Sequence, residues 1–236
     1  MSLRFFLLLC GVISLGTAIQ ADQVNYKVRI GGFYAGILSV ADAETRSRYS
    51  VSARVESAGI AAFFGKTIYE GNASGRISKG RLFPSKYRGF IKSGDISSTV
   101  GLSYRNGVPR IVAYDPSPPP EVFDFNFSSQ RGTVDMLSSA YWVFRERPLG
   151  ELCDFTIEGF DGRRSTQIQL NIDKSSEDVV TCTGAYTRIA GFSERALKRG
   201  RVFPLTIKYV KSERGYILDT LTAKTVFGNA RVTRLK

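Results

Sequence analysis

The chain has 236 residues, 43% of them hydrophobic, enough for one packed domain or two small ones, and a formal net charge of +12. It contains no histidine. That excludes Ser-His-Asp and Cys-His nucleophiles, His-ligated zinc or iron, and imidazole acid–base catalysis.

At the N-terminus, Arg4 precedes an apolar run, Phe5 to Gly16, that is too short to cross a bilayer as a stable helix. Small residues follow, and then polar residues from Asp22 to Asn25. This is the layout of a secretory signal peptide over residues 1–21, with cleavage expected after Ala18 or Ala21. Cys10 leaves with it, and Leu9 stands where a lipoprotein signal needs a small residue. No later window reaches the ~20 apolar residues of a membrane helix, so no transmembrane segment is expected after cleavage. In an oxidising compartment the remaining Cys153 and Cys182 are expected to form a disulfide, stabilising the fold by roughly 3 kcal/mol. There is no Cys-x-x-Cys spacing and no third ligand type, so neither a metal nor a cofactor is expected.

Period-two patterning begins at once. Val24 to Ile30 alternates apolar and polar over seven residues, as a half-buried strand does. Further strands are predicted over 36–41, 48–56, 67–77, 85–92, 96–104 and 110–114. Asn106-Gly107 separates the last two and requires positive φ, a signal for a tight hairpin. Asp115 to Pro120 holds four prolines; lacking donors and with φ fixed, it reads as a stiff surface connection.

One helix is predicted, Thr133 to Arg147, with Thr133 as N-cap, Asp135 in the first turn, Arg145 and Arg147 in the last, and Pro148 as its stop. Leu137, Ala140, Tyr141 and Phe144 share one face, and Val134, Met136, Trp142 and Val143 spread apolar surface beyond it. A helix this apolar should be enclosed by sheet or meet a partner. Strands resume over 154–160, 165–172, 179–189, 202–211, 216–224 and 230–235. Asp161-Gly162 is a second hairpin turn, and a short helix is expected over 193–198. The fold class is mainly β: a strongly curved antiparallel sheet or barrel-like meander around one central helix, in a single domain over residues 22–236.

The halves 22–114 and 153–236 look related. Lys79-Gly80-Arg81-Leu82-Phe83-Pro84 recurs as Arg199-Gly200-Arg201-Val202-Phe203-Pro204, and Ala58-Gly59-Ile60 as Ala190-Gly191-Phe192. The charge is uneven as well. Residues 22–194 carry 21 basic and 19 acidic side chains, whereas residues 195–236 carry 11 and 2. A basic end of this kind favours an anionic partner, either a lipid headgroup or an acidic envelope polymer or protein. No nucleic-acid motif is present.

Several segments in order carry a family resemblance: Tyr26 to Gly36, Gly80 to Pro84 with Tyr87, Asp135 to Ala140, Phe160 to Arg164, and Cys182 to Tyr186 running to Gly191-Phe192. Together they resemble the exported bacterial family known as domain of unknown function 3108, over nearly the whole mature chain. The resemblance implies a Gram-negative periplasmic protein with no assigned activity, so it transfers no functional residues. A looser likeness is to the periplasmic lipoprotein carriers, in which a curved antiparallel sheet surrounds helices and holds acyl chains.

Catalysis is not expected. Glu121, Asp124, Asp135, Glu146, Glu151 and Asp154 lie near the central connection, but no spacing singles out a pair, and no nucleophile elbow or phosphate loop occurs. Two readings remain. In the first, the concave sheet binds a hydrophobic, lipid-like ligand against Leu137, Ala140, Tyr141 and Phe144, while Lys208, Lys224 and Arg231 hold its anionic head. In the second, the interior is a packed core and the basic C-terminal face docks an envelope protein, making the chain a scaffold or assembly factor.

Overall fold

The computed structural model describes residues 22–236 apart from 60, 61, 63, 64 and 118–125; the expected signal peptide, Ile60 of the first Ala-Gly repeat and Pro118 to Pro120 of the proline segment lie outside the described residues. Seven strands, β1 (Asp22–Ile30), β2 (Phe33–Glu44), β3 (Arg48–Ser57), β4 (Thr67–Ser78), β5 (Arg81–Ser93), β6 (Ile96–Arg105) and β7 (Val108–Asp115), form an antiparallel meander. A two-residue strand β8 (Val134–Asp135) leads into helix α1 (Met136–Phe144). A second meander follows: β9 (Phe155–Phe160), β10 (Ser165–Ser175), β11 (Val179–Ala190), short helix α2 (Glu194–Lys198), β12 (Val202–Lys211), β13 (Tyr216–Thr225) and β14 (Gly228–Arg234).

Both meanders belong to one sheet of order β7-β6-β5-β4-β3-β2-β1-β14-β13-β12-β11-β10-β9-β8. The first and last strands of the chain join them, from Tyr26 opposite Arg234 to Ile30 opposite Ala230. The sheet curls without closing: β8 is parallel to β9 and lies against β5. The architecture is therefore mainly β, a curved, unclosed sheet around one central helix.

Alternation along each strand sorts side chains to the two faces. Tyr49, Val51 and Ala53 of β3 and Phe203, Leu205, Ile207 and Tyr209 of β12 are buried on the inner face. All of these but Phe203 belong to one core cluster with Leu137, Tyr141 and Val143 of α1, and Trp142 of α1 is buried as well. Enclosure by sheet is what its all-round apolar surface demands. Two glycines make room for aromatic rings here. Gly71 and Gly89 face each other across β4 and β5, and a Cβ on either would overlap the hydroxyl of Tyr69 or Tyr87, two residues earlier on the same strand.

The helix is shorter than predicted. Asp135, not Thr133, is the N-cap, its carboxylate accepting from the Ser138 backbone N–H at 2.8 Å. Thr133 instead donates its hydroxyl to the Gln130 carbonyl. The C-terminus falls at Phe144 and Arg145 is already extended, because Pro148 disfavours helical backbone at Arg147 and Arg147 pairs with Tyr216 as an isolated bridge. Asn106-Gly107 forms the expected two-residue hairpin, and Lys79-Gly80 forms another, all four residues at positive φ.

Cys153 and Cys182 are joined by a disulfide with Cα atoms 5.9 Å apart, buried in the core. The two copies of the Gly-Arg-apolar-Phe-Pro sequence open β5 and β12. Their approaches differ: β4 precedes the first copy and α2 the second. No helix among the described residues is long and apolar enough to cross a membrane.

Candidate functional site

Where α1 begins, the carboxylate of Asp135 is fully buried, bonded through one oxygen to the Ser138 N–H and through the other to the Ser138 hydroxyl at 2.6 Å. The Tyr49 hydroxyl lies 2.8 Å from Ser138 Oγ. Burial pushes the Asp135 carboxyl up to about 6, against the hydrogen bonds from Ser138. Burial likewise raises Tyr49, Tyr69, Tyr87 and Tyr104, whose electrostatic coupling to Asp135 adds to the shift.

At the other end of α1, two arginines alternate with Glu146 in extended backbone and both turn inward. Arg145 is balanced by Glu44 at 3.0 Å and by Glu151, and its guanidinium stacks 4.2 Å from the Trp142 ring. Arg147 is 1% exposed and pairs directly with no acid among the described residues, Glu151 favouring its charge only from a distance. Its hydrogen bonds go to the Tyr209 hydroxyl at 3.0 Å and the Leu152 carbonyl at 3.4 Å, and its Nε and Nη1 have no partner among the described residues. Three rings box it in, those of Phe155, Trp142 and Tyr209, with centroids 5.2, 5.3 and 5.7 Å away. Desolvation pulls its pKa below the usual guanidinium value, with the Tyr209 hydroxyl opposing.

Trp142 and Phe155 also form part of the wall of an open cavity of about 850 Å³. The cavity sits where the sheet fails to close, between the β4–β5 and β6–β7 turns on one side and β9 on the other. Leu82, Phe83, Pro84, Val134 and Ile157 continue its apolar wall, and the exposed Arg76, Arg81 and Arg131 and one acid, Glu158, are its charged groups. Arg76 lies over the Phe83 ring at 5.9 Å, and Arg131 donates to the Asn106 carbonyl at 2.6 Å. Tyr104 lines the cavity too. Its hydroxyl and the Trp142 indole N–H are buried without partners among the described residues. Polar and apolar groups line it in about equal measure, and a pocket of this size with a few converging charges suits an amphipathic ligand. Arg147, one ring's thickness behind the wall, adds positive potential. At an effective dielectric of ~20 a unit anion roughly 8 Å away gains about 2 kcal/mol from it.

A second concavity, about 670 Å³, lies on the outer face of the first meander over Ala41, Ser50, Ser52, Asn72 and Ser74, beside Lys86 and Arg88. It lacks aromatic walls apart from Tyr87, whose side chain points to the other face.

The candidate residues read from the sequence do not meet at one place. Leu137 and Tyr141 are buried in the core, Phe144 packs edge-on to Tyr26 at 5.0 Å, Ala140 is half-buried, and none of the four lines the large cavity. Lys208, Lys224 and Arg231 are exposed on the outer face, Lys208 opposite Thr220, Lys224 opposite Asn229, and Arg231 opposite Thr222 and Arg29. The sheet separates the two sets. Of the acids near the central connection, Glu121 and Asp124 lie outside the described residues. Glu146 is held below the usual carboxylate range; burial opposes this, but the Ser212 hydroxyl and Arg214 outweigh it. Glu151 pairs with Arg145, and Asp154 accepts from the Ile172 N–H. Among the described residues no three acidic or cysteine side chains gather as a metal site.

Sequence reasoning missed Arg147, treating it as a charge on the last helical turn. The signal was Pro148: a residue preceding proline leaves the helix, and in extended backbone Arg145 and Arg147 share a side.

A solved structure similar in fold is the beta-barrel-like protein of domain of unknown function DUF1849 from Brucella abortus. It is 12% identical, with a TM-score of 0.51 over 92% of this chain and 97% of that one. At that identity the likeness concerns the fold. No curated protein matches the chain. The profile of the DUF3108 family, described as proteins of unknown function, matches residues 25–193. That is well over half of the chain, which therefore belongs to the DUF3108 family.

Proposed function

We propose that this is a non-catalytic periplasmic protein of the cell envelope that binds an amphipathic, lipid-like ligand with an anionic end. The observation that carries this reading is the open cavity of about 850 Å³ in which an apolar patch of Leu82, Phe83, Pro84, Val134, Trp142, Phe155 and Ile157 lies beside polar Ser85, Asn106, Thr133 and Thr156, and whose charged groups are three arginines against one acid. An apolar chain would lie against the rings, and a carboxylate or phosphate would meet Arg76, Arg81 and Arg131, with the buried Arg147 reinforcing the field. The disulfide and the signal-like N-terminus support export. The test is native mass spectrometry of protein purified from envelopes. An adduct with the mass of an anionic amphiphile, depleted at least tenfold in Arg81→Glu/Arg131→Glu protein, supports the reading, and a bare mass that no added amphiphile shifts refutes it.

The scaffold reading is favoured by one feature, the exposure of Lys208, Lys224 and Arg231 on the outer face of three neighbouring strands. It requires that glutamates at these three positions release an envelope protein that the cavity variant still captures.

A further inference from the structure

One end of the curled sheet is both apolar and basic. In the strand order β2-β1-β14-β13-β12-β11, three consecutive connections emerge there: the β1–β2 turn, the β13–β14 turn and the β11–β12 connection containing α2. The first two turns are locked together, the Gly31 N–H donating to the Asn229 carbonyl at 2.9 Å. They hold large side chains in solvent: Phe33 is 62% and Phe227 76% exposed, with Tyr34 and Val226 beside them. Ile189 and Val202, at the neighbouring connection, are 45% and 55% exposed. At ~4.8 Å per strand these connections span a rim of about 24 Å.

The charges on this rim are mostly of one sign. Arg195, Lys198, Arg199 and Arg201 on and after α2 are exposed, as are Lys224 and Arg29 at the strand ends, while Glu194 is the acid among them. The first four open the basic C-terminal stretch. The fold thus delivers that charge to the end where the aromatic turns protrude. Aromatic side chains among cations suit a bilayer interface, where rings enter the headgroup region and cations are drawn to an anionic leaflet.

We infer that this rim docks on an anionic lipid bilayer, with Phe33 and Phe227 entering the interface and the α2 cluster meeting lipid phosphates. Charge complementarity selects this occupant, and the inference does not rest on the cavity, which lies at the sheet's unclosed seam. The experiment is co-sedimentation of the full purified protein with vesicles of equimolar phosphatidylglycerol and phosphatidylcholine, or of phosphatidylcholine alone. Binding to the anionic vesicles is expected to be at least tenfold tighter and to weaken with salt. Phe33→Ser/Phe227→Ser should lose at least tenfold at an unchanged melting temperature, and Lys198→Glu/Arg199→Glu should erase the lipid preference. Phe33→Trp gives a check that does not depend on a loss of binding: once the wild-type emission, which comes from Trp142, is subtracted, the remaining emission should shift to the blue on the anionic vesicles. No wild-type binding, serine variants that bind as wild type does, an unshifted Phe33→Trp emission, or retention by an acidic protein without vesicle binding would each overturn the inference. None of these outcomes bears on a ligand in the cavity.

Discussion

The guanidinium of Arg147 donates to the Tyr209 hydroxyl at 3.0 Å, and that hydroxyl in turn donates to the Val143 carbonyl at 2.9 Å, tying the end of α1 to β12 through a buried cation that meets no carboxylate directly among the described residues. A buried charge without a direct ion-pair partner carries a desolvation cost that an apolar side chain of similar volume avoids. Its retention makes sense if its field is used.

Arg147→Met should therefore leave the fold within about 1 kcal/mol of wild type, or more stable, because Tyr209 keeps its bond to Val143 and the aromatic box accepts a thioether. The same variant should reduce discrimination between an anionic amphiphile and its neutral analogue. Denaturant titration and binding measurements check the two halves, and a loss of several kcal/mol would assign Arg147 a purely structural role.

Asp135 sets a pH dependence. Its carboxyl titrates near 6 in the folded protein, against ~3.9 unfolded. Between these values the native state holds a proton that the unfolded chain has released, so this residue's contribution falls as pH rises from about 4 to 6. The loss is about 3 kcal/mol at 1.36 kcal/mol per unit. Urea titrations across that range should show the slope, and Asp135→Asn, which still offers an N-cap oxygen, should flatten it. An equal slope in both proteins would contradict the assignment.

Removing the disulfide as Cys153→Ala/Cys182→Ala should destabilise by roughly 3 kcal/mol, since the bridge closes a loop with a sequence separation of 29. For a domain of this size that is about 10 °C in melting temperature. Calorimetry of the variant against the oxidised wild type measures it; an unchanged melting temperature would mean that the bridge does not constrain the unfolded chain.

Much of the sheet is legible as period two. β12 runs from Val202 to Lys211 as the alternation predicts, because Phe203, Leu205, Ile207 and Tyr209 all face inward. β5 starts earlier than predicted, since a bulge between Ser74 and Gly75 lets Pro84 stand within it. β8, with two residues, is too short to carry any period. The helix face Leu137, Ala140, Tyr141 and Phe144 was visible, but an apolar stripe looks the same whether it meets core or ligand. The cavity was not visible at all. It is assembled from Gly80 to Ser85, Asn106-Gly107, Arg131 to Val134, Trp142 and Phe155 to Glu158, segments brought together only by the curl of the sheet.

Trp142 is the single tryptophan of the chain and stands on the cavity wall, so its fluorescence reports occupancy directly. Titration with dodecanoate and, separately, dodecanol below their aggregation limits tests the central claim. A saturable change in Trp142 emission is expected with both, at least tenfold tighter for the carboxylate, the preference vanishing in Arg81→Glu/Arg131→Glu protein. An emission unmoved by either compound, or equal affinity for the two, would contradict it.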